Sequence, residues 1–558
     1  MRKLLIFLLA LSALTLLCSC GMQENTQNPE TQQKEEEKTI FNVTEHGVVP
    51  NAPDNASQNV KKLASLLKKA KKNATVFFPA GDYYLSSSDG CLNLYGLQNV
   101  VFKGENATLI NASYDPTIKK NVVSAGKSTT IRLTNCDTVT FKNLALDYAA
   151  YTQVCGKVVS TEANKTTIEI DSRFTDGSSK RSLSGDEYVM AVNVLDGNGN
   201  VIGDFYAPDD GFPASLEGNF YTISGIFGEV GNTILARFTL GSYASPTIFV
   251  NSTKNLKFES VRSYSSPTAT FYAPLDNENF AFDNFNIAPP EGAEWLWGTN
   301  VDSIHIKGLR GTVTVKNCTF RGLGDDALNV HSIAPKVTAV DGDTVRLEYF
   351  YGGALDALWS RAGDEIEFYD KSYKLIATGA AKSSKNGKLT LENVSGEIKE
   401  GCFARNKSTC PALEIENVEV DGGRARAFLI QSRTATVKNC RISNLALAAI
   451  IVSPDIDYWG EMGPSEKVEM SGLEIRNVCT AKTDACRGAI MVTNSHSGSV
   501  KGSGTLHGEV KVTAGVFDGT NAPALYAILV ENLEFSGNSL SGNTEAPVYT
   551  GCKNVKIE

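Results

Sequence analysis

The feature that most constrains this chain is a short motif, apolar-x-apolar-x-Asn. It recurs at Val139-Phe141-Asn143, Phe280-Phe282-Asn284, Val313-Val315-Asn317, Leu413-Ile415-Asn417 and Ala435-Val437-Asn439. In each copy two side chains alternate onto one face of a strand, and the asparagine follows at a bend. Asparagine suits that place because it tolerates left-handed backbone and hydrogen-bonds its own turn. Asn417 and Asn439 are 22 residues apart, about one coil of a parallel β-helix, and such repeats stack into one continuous core.

Helical periodicity is clear once, where Val60, Leu63, Ala64, Leu67 and Ala70 form a single apolar stripe. The strand and turn that follow, Thr75-Val76-Phe77-Phe78-Pro79-Ala80-Gly81-Asp82-Tyr83, resemble the capping entrance of pectin-lyase-like β-helices. Two gaps interrupt the array, at residues 156–242 and 334–405, and each alternates short strand patterns with Gly- and Asp-rich turns. The stretch Val337-Thr338-Ala339-Val340-Asp341-Gly342-Asp343-Thr344-Val345-Arg346-Leu347 reads as a hairpin. The expected fold is therefore all-β. It is a right-handed parallel β-helix with an N-terminal capping helix and two inserted small β-barrel-like domains.

The N-terminus carries Arg2 and Lys3, an apolar run over residues 4–17, and then Leu17-Cys18-Ser19-Cys20-Gly21. The run is too short to span a bilayer and has the charge pattern of an export signal. The segment resembles a bacterial lipoprotein box, which implies cleavage before Cys20, acylation of its thiol, and attachment to a membrane of the cell envelope. Residues 20–38 have almost no apolar side chains and read as a flexible tether. The parts expected are thus a signal (1–19), the tether (20–38) and the first β-helix portion with its cap (39–155). After these come an inserted β domain (156–242), the β-helix coils with the acidic cluster (243–333), a second inserted domain (334–405) and the C-terminal β-helix (406–558).

A net charge of −9 and the lack of a long basic run beyond residues 61–72 argue against a nucleic-acid partner. Beyond Cys20 ten cysteines follow, without CxxC pairs or zinc-like Cys/His spacing. No metal or other cofactor is expected. Cys402 with Cys410, or Cys479 with Cys486, are candidates for local disulfides, whereas Cys318 and Cys440 sit in apolar strand patterns and read as core.

Chemistry concentrates in Thr299-Asn300-Val301-Asp302-Ser303-Ile304-His305-Ile306 and Gly322-Leu323-Gly324-Asp325-Asp326-Ala327-Leu328-Asn329-Val330-His331. Each places an aspartate two residues before an alternating apolar pair. Counting nine residues forward from Asn317, Asn417 and Asn439 reaches Asp326, Arg426 and Ala448, each followed by an apolar pair like that after Asp302. With the coils in register all four occupy equivalent places on successive turns, about 4.8 Å apart. Stacked carboxylates raise one another's pKa and destabilise a fold that has no use for them. Glycoside hydrolysis uses such a cluster, with one protonated acid for the leaving oxygen and one carboxylate to activate water or attack carbon. Strict alternation would point Asp302 and Asp326 into the core, so this reading requires a bend after each. Gly324 favours one bend; nothing comparable marks Asp302.

The pair Asn300-Val301-Asp302 and Gly324-Asp325-Asp326 resembles the Asn-x-Asp and Gly-Asp-Asp of polygalacturonases, without their Gly-His-Gly or Arg-x-Lys. The fuller stretch from Gly322 to His331, with Tyr458-Trp459-Gly460-Glu461-Met462-Gly463-Pro464, is similar to glycoside hydrolase family 110, bacterial α-1,3-galactosidases of blood-group B and related glycans. The resemblance implies inversion by three aspartates, Asp325 as general acid and Asp302 with Asp326 holding and deprotonating water. It also implies a homodimer and a glycan substrate ending in α-galactose. Asn300, Asn329, His331, Arg426, Arg433 and Trp459 are the candidate sugar-binding residues, with Trp295 and Trp297 as further rings that could face galactose. The alternatives are a polygalacturonase-like hydrolase or lyase of an acidic polysaccharide, and a non-catalytic β-helical glycan-binding surface protein.

Overall fold

The computed structural model describes residues 38–558, apart from residues 89, 119–128, 180, 240–244, 351, 457, 482, 484 and 495–503. The segment that would carry the export signal, Cys20 and the tether lies outside the described residues, save for Lys38.

Lys38–Glu558 forms one compact unit built on a right-handed parallel β-helix, whose coils form a 22-stranded parallel sheet and a 12-stranded sheet in which one short strand, Glu461–Met462, pairs antiparallel. The repeat motif explains the register. Phe141 pairs with Phe258, Phe258 with Phe282, Phe282 with Val315, Val315 with Ile415, and Ile415 with Val437. All of these side chains are buried. The aromatic members stack, with ring centroids 5.1 Å apart for Phe141 and Phe258 and 5.6 Å for Phe258 and Phe282. Two positions after each inward pair the backbone turns left-handed. Asn143, Asn284, Asn317, Asn417 and Asn439 have φ of 53–56°, and Ser260, at the same place in its coil, has 53°. Asn417 donates to Asn317 on the next coil at 3.3 Å and Asn317 to Asp283 at 2.9 Å, so the bend also links coils.

The capping helix spans Ala56–Leu67 and buries Leu63, Leu66 and Leu67. Leu66 takes a place in the buried face that the expected stripe gave to Ala64, which is exposed.

Two antiparallel units interrupt the helix. Strands from Gln153–Glu162 to Thr233–Arg237 form a seven-stranded sheet, with a core of its own that Trp295 and Trp297 join. The second unit is a closed six-stranded barrel from Lys336–Asp341 to Phe403–Asn406. Its first hairpin turns between Asp341 and Thr344, as the sequence pattern indicates, and its ends meet where Lys336 pairs with Phe403.

Cys479 and Cys486 form a disulfide, while Cys402 and Cys410 are free buried thiols. Cys318 and Cys440 lie in the main core. No helix among the described residues is long and apolar enough to cross a membrane.

Candidate functional site

The acidic segments stack in the expected register. Ile304 pairs with Leu328, Leu328 with Phe428, and Phe428 with Ile450, so Asp302, Asp326, Arg426 and Ala448 occupy one place on four successive coils. The chain bends just before each of these strands, and the coils are stitched through the bend. Ser303 N–H donates to the Asp326 carbonyl at 2.9 Å and Ala327 N–H to that of Arg426 at 3.0 Å. The bend is a property of the coil, which is why Asp302 needs no glycine. At Gly324 a side chain is excluded for another reason: a methyl group would run into the Asn300 carbonyl and the Arg237 guanidinium.

Asp302, Asp325 and Asp326 bring carboxylate oxygens within 4.8 Å of one another. Each is tied differently. Asp326 is buried and accepts from Arg426 Nε at 2.7 Å and Nη2 at 2.9 Å. Burial pushes its carboxyl up to about 6 against the pull of Arg426, with Asp325 and Asp302 adding to the rise. Asp325, partly exposed, pairs with Arg424 Nη2 at 2.7 Å. Asp302 accepts from the Asp326 backbone N–H at 3.0 Å through Oδ1 and lies 2.7 Å from His305 Nδ1 through Oδ2.

A second buried group adjoins the trio. His305 Nε2 lies 2.9 Å from His331 Nε2, and His331 lies 3.4 Å from Glu461. Glu461 reaches this place because Ile333 pairs antiparallel with it, and Gln431 donates to it at 2.8 Å. Burial raises Glu461 to about 7 and holds His331 well below the usual imidazole range. Both this group and the trio have the ligand types and closeness to hold a cation, yet hydrogen bonds and ion pairs already cross-link each.

These residues line a cavity of about 570 Å³, the size of a small-ligand pocket. Asn329 and His331 line it beside the trio, Tyr349 and Phe350 come from the barrel, and Tyr458, Trp459 and Glu461 close another side. Trp459 is half exposed and meets Tyr458 edge-on, which leaves ring surface for the apolar face of a sugar. Asn329 Oδ1 is buried without a hydrogen-bond partner, so a ligand hydroxyl would relieve it.

Other candidates are placed elsewhere. Asn300 is fully buried and donates to the carbonyls of Thr152 and Thr239 at 3.0 and 3.3 Å, tying the antiparallel sheet to the acidic coil. Arg433 is not among the cavity-lining residues; its guanidinium is 4.0 Å from Glu466. Trp295 and Trp297 are buried packing residues under Arg181 and Arg237. Glu461, His305, Lys307 and Tyr272 line the cavity without having been singled out from sequence. The spacing of His305 three residues after Asp302, and the place of Glu461 within the Tyr458-to-Pro464 stretch, are the sequence signals that could have pointed to two of them.

No family model matches the chain. Curated relatives do. α-1,3-Galactosidase B of Bacteroides thetaiotaomicron is 21% identical, with 93% of this chain and 90% of that protein aligned. α-1,3-Galactosidase A of Shewanella woodyi is 23% identical over 90% of this chain and 86% of its own length. Among solved structures, the A-module of the Azotobacter vinelandii mannuronan C-5 epimerase AlgE4 aligns with 93% of this chain and 99% of its own, at 11% identity. Its TM-score of 0.40 is too low to carry a functional argument. Across about nine-tenths of its length the chain is thus homologous to bacterial proteins named α-1,3-galactosidases.

Proposed function

We propose that this protein is an exo-acting, inverting glycoside hydrolase that releases terminal α-1,3-linked galactose from blood-group B-type or linear α-galactosyl glycans. The observation that carries the reading is the carboxylate trio, in register on adjacent coils and open to a sugar-sized cavity, in a chain whose homologues bear that enzyme name. In this reading Asp325 protonates the leaving oxygen, while Asp302 and Asp326 hold and deprotonate water. Asn329, His331, Arg426 and Trp459 bind or shape the sugar subsite. We further propose that the protein is acylated at Cys20, held at a cell-envelope membrane, and dimeric.

An acidic polysaccharide is a poorer fit, because Arg424 and Arg426 are already paired with Asp325 and Asp326. Inverting enzymes hold their carboxyl groups about 6.5–9.5 Å apart and retaining ones about 5–5.5 Å, so the stereochemistry is read from the product. Proton NMR of the sugar first released from a blood-group B trisaccharide and from Gal-α-1,3-Gal decides both points. β-Galactose establishes substrate class and inversion together, and α-galactose establishes retention. Cleavage of an oligogalacturonide instead of either glycan would overturn the proposal.

A further inference from the structure

We propose that His305 is a positioning residue, an imidazolium held between Asp302 and His331 that fixes the Asp302 carboxylate for its work on water. The inference rests on the glycosidase reading above.

Hydrogen-bond chemistry carries the argument. His331 Nδ1 lies 3.0 Å from the Ser332 carbonyl; a carbonyl only accepts, so Nδ1 bears the proton. Burial disfavours a charge on His331, which leaves its Nε2 as a lone pair. That lone pair faces His305 Nε2 at 2.9 Å. Two lone pairs at this distance repel, so His305 Nε2 donates. His305 Nδ1 faces Asp302 Oδ2 at 2.7 Å; in the ionised state that Asp302 needs for its work on water this oxygen only accepts, so Nδ1 donates as well. A ring that donates from both nitrogens is a cation.

The surroundings fit that charge. Asp302 supplies negative charge on one side, and Tyr272 meets the ring at about a right angle with centroids 5.4 Å apart. Glu461 lines the same cavity with its ionised form disfavoured by burial, and Lys307, on the same strand, opposes. The neighbouring Asp326 is already neutralised by Arg426. Asp302 is then anchored at both oxygens, by the Asp326 amide and by His305, which fixes the direction in which the carboxylate faces the cavity.

The test has two parts. In nitrogen-15 NMR of histidine-labelled protein at neutral pH, the His305 signals, assigned by their loss in His305→Asn, are expected to report both ring nitrogens protonated. A neutral His305 ring overturns the proposal. In kinetics, His305→Ala is expected to lower kcat on the order of 100-fold with KM nearly unchanged. The acid limb of its rate–pH profile should move to higher pH, because the carboxylate has lost its cation. His305→Asn keeps a donor toward Asp302 without the charge, so it should recover part of kcat with the limb still displaced. A loss confined to KM, or limbs that do not move, would make His305 a sugar-binding or merely structural residue. Activity lost to a chelator and regained with zinc would put a metal ion where the shared proton is assigned. Should His305→Ala fail to fold, the wild-type spectrum still decides. Should the wild type cleave no α-galactoside, the glycosidase reading fails while the spectrum judges His305 on its own.

Discussion

Arg426 reaches across one coil to grip Asp326 with two nitrogens, at 2.7 and 2.9 Å, and both side chains are largely buried. Their positions in sequence are 100 residues apart. Breaking a buried pair leaves an uncompensated charge, so Arg426→Leu is expected to lose about 3–5 kcal/mol of stability at neutral pH and nearly all turnover. Without Arg426 the Asp326 carboxyl rises further and accepts a proton. Urea unfolding should therefore find a smaller deficit at pH 5 than at pH 8; an equal deficit at both would mean that the pair is not what the substitution removes.

Glu461 gives a pH signature of the opposite kind. Burial raises its folded-state pKa to about 7, well above the ordinary glutamate range, so the fold disfavours its ionised form. Its protonated form supports stability fully below about 4.5, and that support is lost as pH rises through 7. Glu461→Gln should therefore melt higher than the wild type at pH 8 and equal to it at pH 4. Calorimetry at the two values checks the sign.

Gly324 tests how closely the acidic turn is held. A methyl group there meets the Asn300 carbonyl and Arg237, so Gly324→Ala must displace the turn that carries Asp325 and Asp326. We expect kcat to fall on the order of 100-fold, with far-ultraviolet circular dichroism unchanged. A variant with full kcat would mean that the turn tolerates displacement.

Phe258 probes the core away from the site. It stacks between Phe141 and Phe282 and is fully buried. Phe258→Ala should cost about 3–5 kcal/mol by denaturant unfolding, while KM of the surviving folded protein stays near the wild-type value.

Much of this architecture was legible because a β-helix writes its geometry locally. Each inward pair and its asparagine, such as Ile415 and Asn417, specify one strand and one bend, and stacking does the rest. Counting from those asparagines aligned Asp326, Arg426 and Ala448, and the apolar pair after Asp302 placed it with them, in the register observed. What the count could not supply were contacts made by segments outside the repeat. Glu461 reaches the cavity through an antiparallel pairing with Ile333, and Arg237 comes from an inserted sheet. Asn300 and Trp297 looked like ligands for sugar because residue type alone does not say whether a side chain faces a cavity or a neighbouring sheet. The bend at Asp302 was invisible for a different reason. It belongs to the coil and is set by the neighbours above and below.

The barrel between the acidic coil and the arginine coil has its own consequence for how such an enzyme diversifies. Its first and last strands meet at Lys336 and Phe403, so the chain leaves and rejoins the helix with its ends already together. A folded insert of this kind spares the β-helix the closure entropy of a long slack loop. The coil bearing Asp326 and the coil bearing Arg426 therefore register as if a short turn joined them. At the same time the barrel contributes Tyr349 and Phe350 to the cavity wall. A change confined to the barrel can thus reshape the cavity wall while the Asp326–Arg426 pair that spans it keeps its register.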